Sequence, residues 1–325
     1  MRALQVSELL ADHRGVGLAD VPVPIPGPGE VRLRVRAAAV NFPDLLITRG
    51  AYQLKPDLPF VPGLEFAGEI DALGEGVTGW RVGDAVVGGN HHGAMAEYCV
   101  VRAAILRPKP ASLSWEEAAA YSVGYLTAHV ALVRCARIQP GEWLLVHGAA
   151  GGVGLATVDM ARALGARVIA AASSAEKREA IARLYAPDAV IAAEPGFREE
   201  VKALTGGKGA DVIFDPVGGD IFDESTRCIA FGGRLLVVGF ASGRIPQLSV
   251  NMPLIKGFSV VGVRAGEYGR RFPERGAENI AAIGALAEQG RVRPHIHAVL
   301  DLADWREAFA MLERREAVGK VVLRP

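Results

Sequence analysis

The sequence predicts an α/β protein: a doubly wound, six-stranded parallel sheet accompanied by a β-rich domain that begins the chain. Three observations predict it. Residues 143–164 read as a buried strand, a glycine turn and a helix, the first unit of a dinucleotide-binding fold. From about 116 to 260, short apolar runs alternate with helical stretches, the rhythm of a complete doubly wound sheet. Residues 1–115 instead hold short β-rich runs punctuated by Pro and Gly. A length of 325 residues exceeds one small core and agrees with two domains.

In chain order, Met1-Arg2-Ala3-Leu4-Gln5-Val6 starts directly as a strand. Pro22, Pro24, Pro26, Pro28 and Gly29 mark a loop, and the alternation over 31–37 then implies a half-buried antiparallel strand. Parallel strands are predicted at 143–147, 167–172, 189–192, 211–215, 234–238 and 258–263, with helices between them, one of them at 175–184. After 264 come amphipathic helices near 276–289 and 303–314 and a terminal strand from Lys320 to Arg324. The expected domains are 1–118 with 264–325, and 119–263.

Half of the residues are hydrophobic and the formal net charge is zero, so nothing indicates a nucleic-acid partner or a charged membrane surface. No run reaches the roughly 18 consecutive apolar residues of a membrane span, and the first residues lack the apolar core of a signal peptide. Cys99, Cys135 and Cys228 lie far apart and are odd in number. That argues against a disulfide framework or a cysteine-rich metal cluster, and for a reducing cytoplasm.

The glycine turn carries the most specific chemistry. Backbone N–H groups of Ala150, Gly151, Gly152 and Val153 are the candidates to meet a pyrophosphate, which the helix N-terminus stabilises by its dipole. Gly154 allows close packing of helix on strand. Ala149 stands where a G-x-G-x-x-G pattern has its first glycine; the strand from Arg167 compensates by closing the βαβ unit. An NAD site usually ends its second strand in an acid that holds the ribose 2′-hydroxyl. Here that place reads Ala172-Ser173-Ser174, followed by Lys177 and Arg178. Hydroxyls and a cation suit a 2′-phosphate, so NADPH is the expected cofactor, held there by Ser173, Ser174 and Lys177. A serine that merely caps the next helix is the alternative, and both can hold. Val217, Gly239, Phe240, Gly262 and Val263 fall at the carboxyl ends of the later strands, where doubly wound sheets bind ligands.

A resemblance now becomes specific, carried in order across nearly the whole chain. Its stretches are Val40-Asn41-Phe42-Pro43-Asp44, Pro62-Gly63-Leu64-Glu65-Phe66-Ala67-Gly68 and Arg81-Val82-Gly83-Asp84-Ala85-Val86. Further on come Leu126-Thr127-Ala128, the 147–154 turn, Phe214-Asp215-Pro216-Val217-Gly218-Gly219 and Gly319-Lys320-Val321-Val322. The chain resembles the medium-chain dehydrogenase/reductase superfamily, in its zinc-independent quinone oxidoreductase (zeta-crystallin-like) branch. The resemblance implies a GroES-like catalytic domain, a Rossmann domain, an active cleft between them and reduction by NADPH. It further implies a homodimer joined through the sixth Rossmann strand, Phe258 to Val263, which is apolar on both sides of its alternation.

Zinc-dependent relatives place a Cys where this chain has Asn41 and a His where it has Leu64, and neither residue here is a credible ligand. A structural zinc lobe of four cysteines would need more cysteines than the chain contains. His91 and His92, adjacent in a Gly/Asn-rich loop, read as solvated or substrate-facing. Asn41 and Tyr52 are the expected catalytic residues. The Asn41 amide would bond the nicotinamide ribose or a substrate carbonyl, unless it is only a turn residue. Tyr52 would donate to the carbonyl on which charge develops, unless it is only a packed rim residue. Asp44 reads as a local cap, and Thr127 resembles the family's threonine near the nicotinamide. The expected activity is zinc-independent hydride transfer from NADPH to a small molecule, a quinone or an α,β-unsaturated carbonyl. An enoyl-thioester or other carbonyl reductase, or a non-catalytic NADPH-binding protein, are the alternatives that turnover must separate.

Overall fold

A computed structural model describes all 325 residues. Strands β1 (Arg2–Val6), β2 (Val16–Asp20) and β3 (Glu30–Val40) lead into helix α1 (Phe42–Thr48). Strands β4 (Glu65–Leu73), β5 (Ala85–Gly89), β6 (Tyr98–Arg102) and β7 (Arg107–Pro108) follow. Helix α2 (Trp115–His129) then runs on as a π-helical segment, Val130–Ala136. Next come β8 (Trp143–Val146), α3 (Gly152–Ala163), β9 (Arg167–Ala172), α4 (Ala175–Tyr185), β10 (Ala189–Ala192) and α5 (Phe197–Leu204). The second half of that alternation is β11 (Ala210–Asp215), α6 (Gly219–Ser225), β12 (Ile229–Val237), α7 (Asn251–Lys256) and β13 (Ser259–Gly262). Helices α8 (Ala265–Arg271) and α9 (Pro273–Glu288), strand β14 (Ile296–Asp301), helix α10 (Trp305–Glu313) and strand β15 (Lys320–Arg324) complete the chain.

The chain divides into two compact units, Met1–Val123 with Arg293–Pro325, and Gly124–Val292. The second contains the expected six-stranded sheet, wholly parallel, in the order β10-β9-β8-β11-β12-β13. Its central strands are covered on both faces, which is why they read as unbroken apolar runs: Leu144–Val146, Val168–Ala171 and Val212–Phe214 are fully buried. Strand order reverses between β8 and β11, and the glycine turn follows β8 at that switch point. Predicted and observed strands agree to within a residue or two, except that β12 starts at Ile229, pairing with Ala210 before a register shift.

In the first unit, the main sheet runs β14-β15-β3-β4-β5-β7, with β6 on β3, and a separate β1-β2 hairpin. The β-rich unit recovers the C-terminal strand: β15 lies antiparallel to β3, with Val321 opposite Val40. That register brings Lys320 beside Asn41. Leu4, Leu33, Phe66, Ile70, Trp305 and Phe309 form its core.

The expected domain bounds shift at both junctions. Residues 264–292 belong with the nucleotide-type unit, not with the β-rich one. The inner face of α9 buries Gly276, Asn279, Ile283 and Ala287 there. Arg134, from the π-helical segment, donates to Asn279 Oδ1 at 2.7 Å and pairs with Glu278 at 2.6 Å. The other junction falls within α2, after Val123 rather than after 118. No helix is long and apolar enough to cross a membrane.

Candidate functional site

In the second unit the turn after β8 is pinned to both neighbouring strands. His147 N–H donates to Phe214 O at 3.0 Å and Ala149 N–H to Ala171 O at 3.1 Å. Gly148 takes a positive φ of 57°, and Gly151 N–H closes the turn on Gly148 O at 2.9 Å. Gly151 is then the extended N-cap of α3, with no side-chain cap, and Leu155 N–H is the first to bond back, to Gly151 O. The N–H groups of Gly152, Val153 and Gly154 are left without a partner in the chain, as at any uncapped helix start. They form a donor set that fits a phosphate. His147 beneath the turn is buried, within 2.8 Å of Ser225 Oγ, and burial pushes its imidazole down to about 3, so it is neutral.

At the end of β9, Ser174 Oγ accepts Lys177 N–H at 3.3 Å, so the capping alternative is realised. Ser173 is exposed beside it. Arg178, which follows Lys177 in the sequence and is not among the expected site residues, is anchored at the strand end. Its guanidinium donates to Ala172 O at 3.3 Å and Ser173 O at 3.1 Å. Its position four residues after the N-cap was the available signal, since that spacing returns a side chain to the same helix face.

Val217, Gly239, Phe240, Gly262 and Val263 lie at or just past the carboxyl ends of β11, β12 and β13, as expected. Asp215, which sequence reasoning passed over, organises this edge. Its buried carboxylate accepts the N–H groups of Val217 at 2.8 Å and Gly218 at 2.9 Å. Burial pushes its pKa up, and those two bonds pull against that shift. Ala241 N–H to Pro216 O and Ser242 N–H to Val217 O hold the loop after β12 alongside. Phe240 is 41% exposed. Thr127 is half-buried on α2.

In the first unit, Asn41 is the extended N-cap of α1, and its N–H donates to Asp44 Oδ2 at 2.8 Å. Asp44 is therefore the cap expected of it. The Asn41 amide donates through Nδ2 to Glu65 Oε1 at 3.0 Å and Ala39 O at 3.3 Å, while Oδ1 accepts from Lys320 Nζ at 2.6 Å. Lys320 also donates to Glu65 Oε1 at 2.6 Å, and Glu65 Oε2 accepts Val123 N–H at 2.9 Å. All four side chains are buried. Both amide protons of Asn41 are thus spent, and donation to a substrate carbonyl is closed to it; an oxygen lone pair is what it can still offer. Glu65 and Lys320 were missed as site residues, though charges inside otherwise apolar strand motifs were the signal. Tyr52 is half-buried with its ring against the core, and no hydrogen bond within the chain occupies its hydroxyl. Leu64 packs on the same core. No three His, Cys, Asp or Glu side chains converge into a metal-holding group, and His92 instead meets Phe60 edge-on.

Burial pushes the Asp44 carboxyl from an ordinary 3.8 up to about 7, against the pull of the Asn41 N–H and the Lys320 charge. Its Oδ1 has no partner. Because the folded state holds this proton more tightly than the unfolded one, the contribution of Asp44 to stability is fully present below about pH 4 and is lost as pH rises through 7. Asp44→Asn, neutral throughout, is expected to gain on the parent by a few kcal/mol at pH 8 and by little at pH 4. Urea denaturation at the two pH values checks this; an equal difference at both would show that Asp44 does not titrate in that window.

Comparison with known proteins places both units. The family profile for the GroES-like domain of alcohol dehydrogenases matches residues 27–111, and that of the zinc-binding dehydrogenases matches 152–282. A quinone oxidoreductase-like protein 2 homolog of Nematostella vectensis is 40% identical over 290 residues, 88% of this chain and 79% of the relative. Among solved structures, a mycobacterial protein in complex with NADPH superposes with a TM-score of 0.90 at 32% identity, covering 100% of both chains. An NAD-dependent alcohol dehydrogenase superposes equally well, TM-score 0.90 at 35% identity, again over 100% of both chains.

Proposed function

Because the chain belongs to the medium-chain dehydrogenase/reductase superfamily, in its quinone oxidoreductase-like branch, we propose that it is an NADPH-dependent, zinc-independent reductase of quinones or α,β-unsaturated carbonyls. The observation that carries the cofactor is the pairing of an uncapped helix start after β8 with an acid-free, cationic end of β9. NADPH, when bound, supplies the hydride. The N–H groups at 152–154, with that of Ala150 before them, would hold the pyrophosphate; the N–H expected of Gly151 is committed to Gly148 O, so Gly151 would serve only to let the backbone come close. Ser173, Ser174, Lys177 and Arg178 would hold the 2′-phosphate. Thr127, Val217, Gly239, Phe240, Gly262 and Val263 would line the nicotinamide end. The Asn41 oxygen would accept a ribose hydroxyl, and the Tyr52 hydroxyl would donate to the substrate carbonyl as charge develops there.

Zinc does not suit the donor set: the Asn41 oxygen already faces the Lys320 ammonium, and Leu64 has no donor atom. A conjugated acceptor needs no added electrophile, since conjugation stabilises the anion formed. The decisive experiment is an NADPH-oxidation assay on a panel of quinones, enones and enoyl thioesters, with zinc content measured before and after chelation. Turnover that survives chelation is expected. Activity lost with one tightly held zinc per chain would overturn the metal-free reading, and no turnover on any acceptor would leave a non-catalytic NADPH-binding protein.

Cofactor preference gives a sharper check. NADPH is expected to bind more tightly than NADH, and Lys177→Glu to narrow or reverse the difference by roughly ten-fold or more, the worth of one charge-assisted hydrogen bond. Calorimetric titration showing equal or better affinity for NADH in the unaltered protein would end the claim.

We also propose a homodimer that pairs β13 with its copy. β13 is the outer strand of its sheet, and apolar side chains stand exposed around that edge: Phe231 at 87%, Val250 at 86%, Leu254 at 82% and Ile255 at 71%. Exposed apolar edges are normally paired or covered. Light scattering is expected to give about twice the 34.3 kDa chain mass, and Val260→Asp in β13 to halve it. A monomer at micromolar concentration in the unaltered protein would count decisively against the dimer.

A further inference from the structure

Lys320 and Glu65 come from strands 255 residues apart in sequence and meet in the interior, 6% and 0% exposed. Taking two such charges out of water is costly, and an apolar pair of similar volume is often as stable. Stability alone therefore gives poor reason for the pair. Gly319, with φ +83° and its α-carbon packed so tightly against His295 that no side chain would fit, delivers Lys320 to this place. What the pair does is visible at Asn41. A carboxamide can sit in two orientations related by a flip. An ammonium only donates, whereas a carboxylate and a backbone carbonyl only accept. Lys320 Nζ on one side, and Glu65 Oε1 with Ala39 O on the other, therefore admit a single orientation. Flipped, the amide would set donors against the ammonium and its oxygen against two acceptors.

We propose that Lys320, held by Glu65, is a positioning residue that fixes Asn41 as a hydrogen-bond acceptor toward a ligand hydroxyl, the nicotinamide ribose of the cofactor. The inference rests on the reading above, in which Asn41 faces the bound cofactor. The double variant Glu65→Gln/Lys320→Met removes both charges of the pair together and takes away the donor-only and acceptor-only side chains that set the amide, leaving Ala39 O alone to orient it. Lys320→Arg keeps a donor-only group. The variants are titrated with NADPH and with adenosine 2′,5′-bisphosphate, which carries the 2′-phosphate but no nicotinamide ribose, and their thermal midpoints are measured. The double variant is expected to bind NADPH at least ten-fold more weakly, to bind the bisphosphate unchanged, and to melt near the parent; Lys320→Arg should restore most of the NADPH affinity. Unchanged NADPH affinity in the double variant overturns the inference, and so does equal weakening of both ligands, which marks a purely structural pair. Failure of the unaltered protein to bind NADPH overturns the proposed function itself, and this inference with it.

Discussion

Gly154→Ala is expected to raise the dissociation constant for NADPH by more than about a hundred-fold and to lower the melting temperature by several degrees. A β-carbon at this position would lie 2.8 Å from the Gly148 carbonyl carbon and 2.9 Å from Ala149 Cα, and closer still to Gly148 O. All three are backbone atoms of the turn, so no flexible side chain can yield, and α3 must retreat from β8. Overpacking of this kind costs about 1–3 kcal/mol or more. Retreat also carries away the N–H groups of Gly152 and Val153, and hydrogen bonds to a charged group are worth about 1.5–3 kcal/mol each. Loss of two reaches the stated hundred-fold. A control isolates the cause: Gly284, on α9, has nothing within 4 Å of its missing β-carbon. Gly284→Ala should therefore stabilise by up to about 1 kcal/mol, through helix propensity alone. The same substitution is thus expected to have opposite signs at two helical glycines. Parent-like NADPH affinity in Gly154→Ala, read by fluorescence titration, would mean that the turn after β8 is not where the cofactor is held.

The two glycines also mark what a sequence can and cannot say. The spacing of 148–154 between a buried strand and a helix identifies the turn, because backbone geometry there is dictated locally. The six parallel strands are legible for a similar reason: burial on both faces forces contiguous apolar runs such as Val168–Ala171. Strand β14 is not, because it is an edge strand on β15 whose alternate residues are half-exposed and whose flank is polar, His295-Ile296-His297. The placement of α9 fails on a tertiary fact. Asn279 looks like a solvent-facing residue, yet it is buried against the Arg134 guanidinium. At the candidate site, what the sequence leaves open has one cause. Residue type and position made Asn41 a candidate, but its hydrogen-bonding capacity is decided by Glu65 and Lys320, which arrive from other strands. Likewise Lys177 and Arg178 are adjacent in sequence, and the side-chain bonds of Arg178 to Ala172 O and Ser173 O are what anchor its charge at the end of β9. Sequence names the candidate residues; the partners that fix their donors and acceptors are set by packing between distant segments.

Tyr52→Phe is expected to lower kcat and kcat/KM together, by roughly ten- to thousand-fold, if the phenol stabilises the oxyanion that develops on the substrate carbonyl. The variant suits the question because the ring packs on the core of its unit while the hydroxyl has no hydrogen bond in the chain to lose. Phenylalanine keeps the packing and strands no buried partner, so stability should change by less than about 1 kcal/mol. A kinetic loss can then be assigned to the missing hydroxyl. With Asn41's protons both committed to Ala39 and Glu65, Tyr52 is the remaining candidate donor of the two. The two variants should accordingly fail in different ways. Asn41→Ala removes an acceptor for the cofactor and should raise KM and Kd for NADPH, whereas Tyr52→Phe removes an interaction made in the transition state and should leave NADPH affinity intact. If Tyr52 only lines the site, its variant should show near-parent kcat with a modest change in KM for the acceptor. That outcome would leave hydride transfer dependent on cofactor placement and acceptor conjugation, with the proton taken from solvent and no side chain of the first unit donating to the carbonyl.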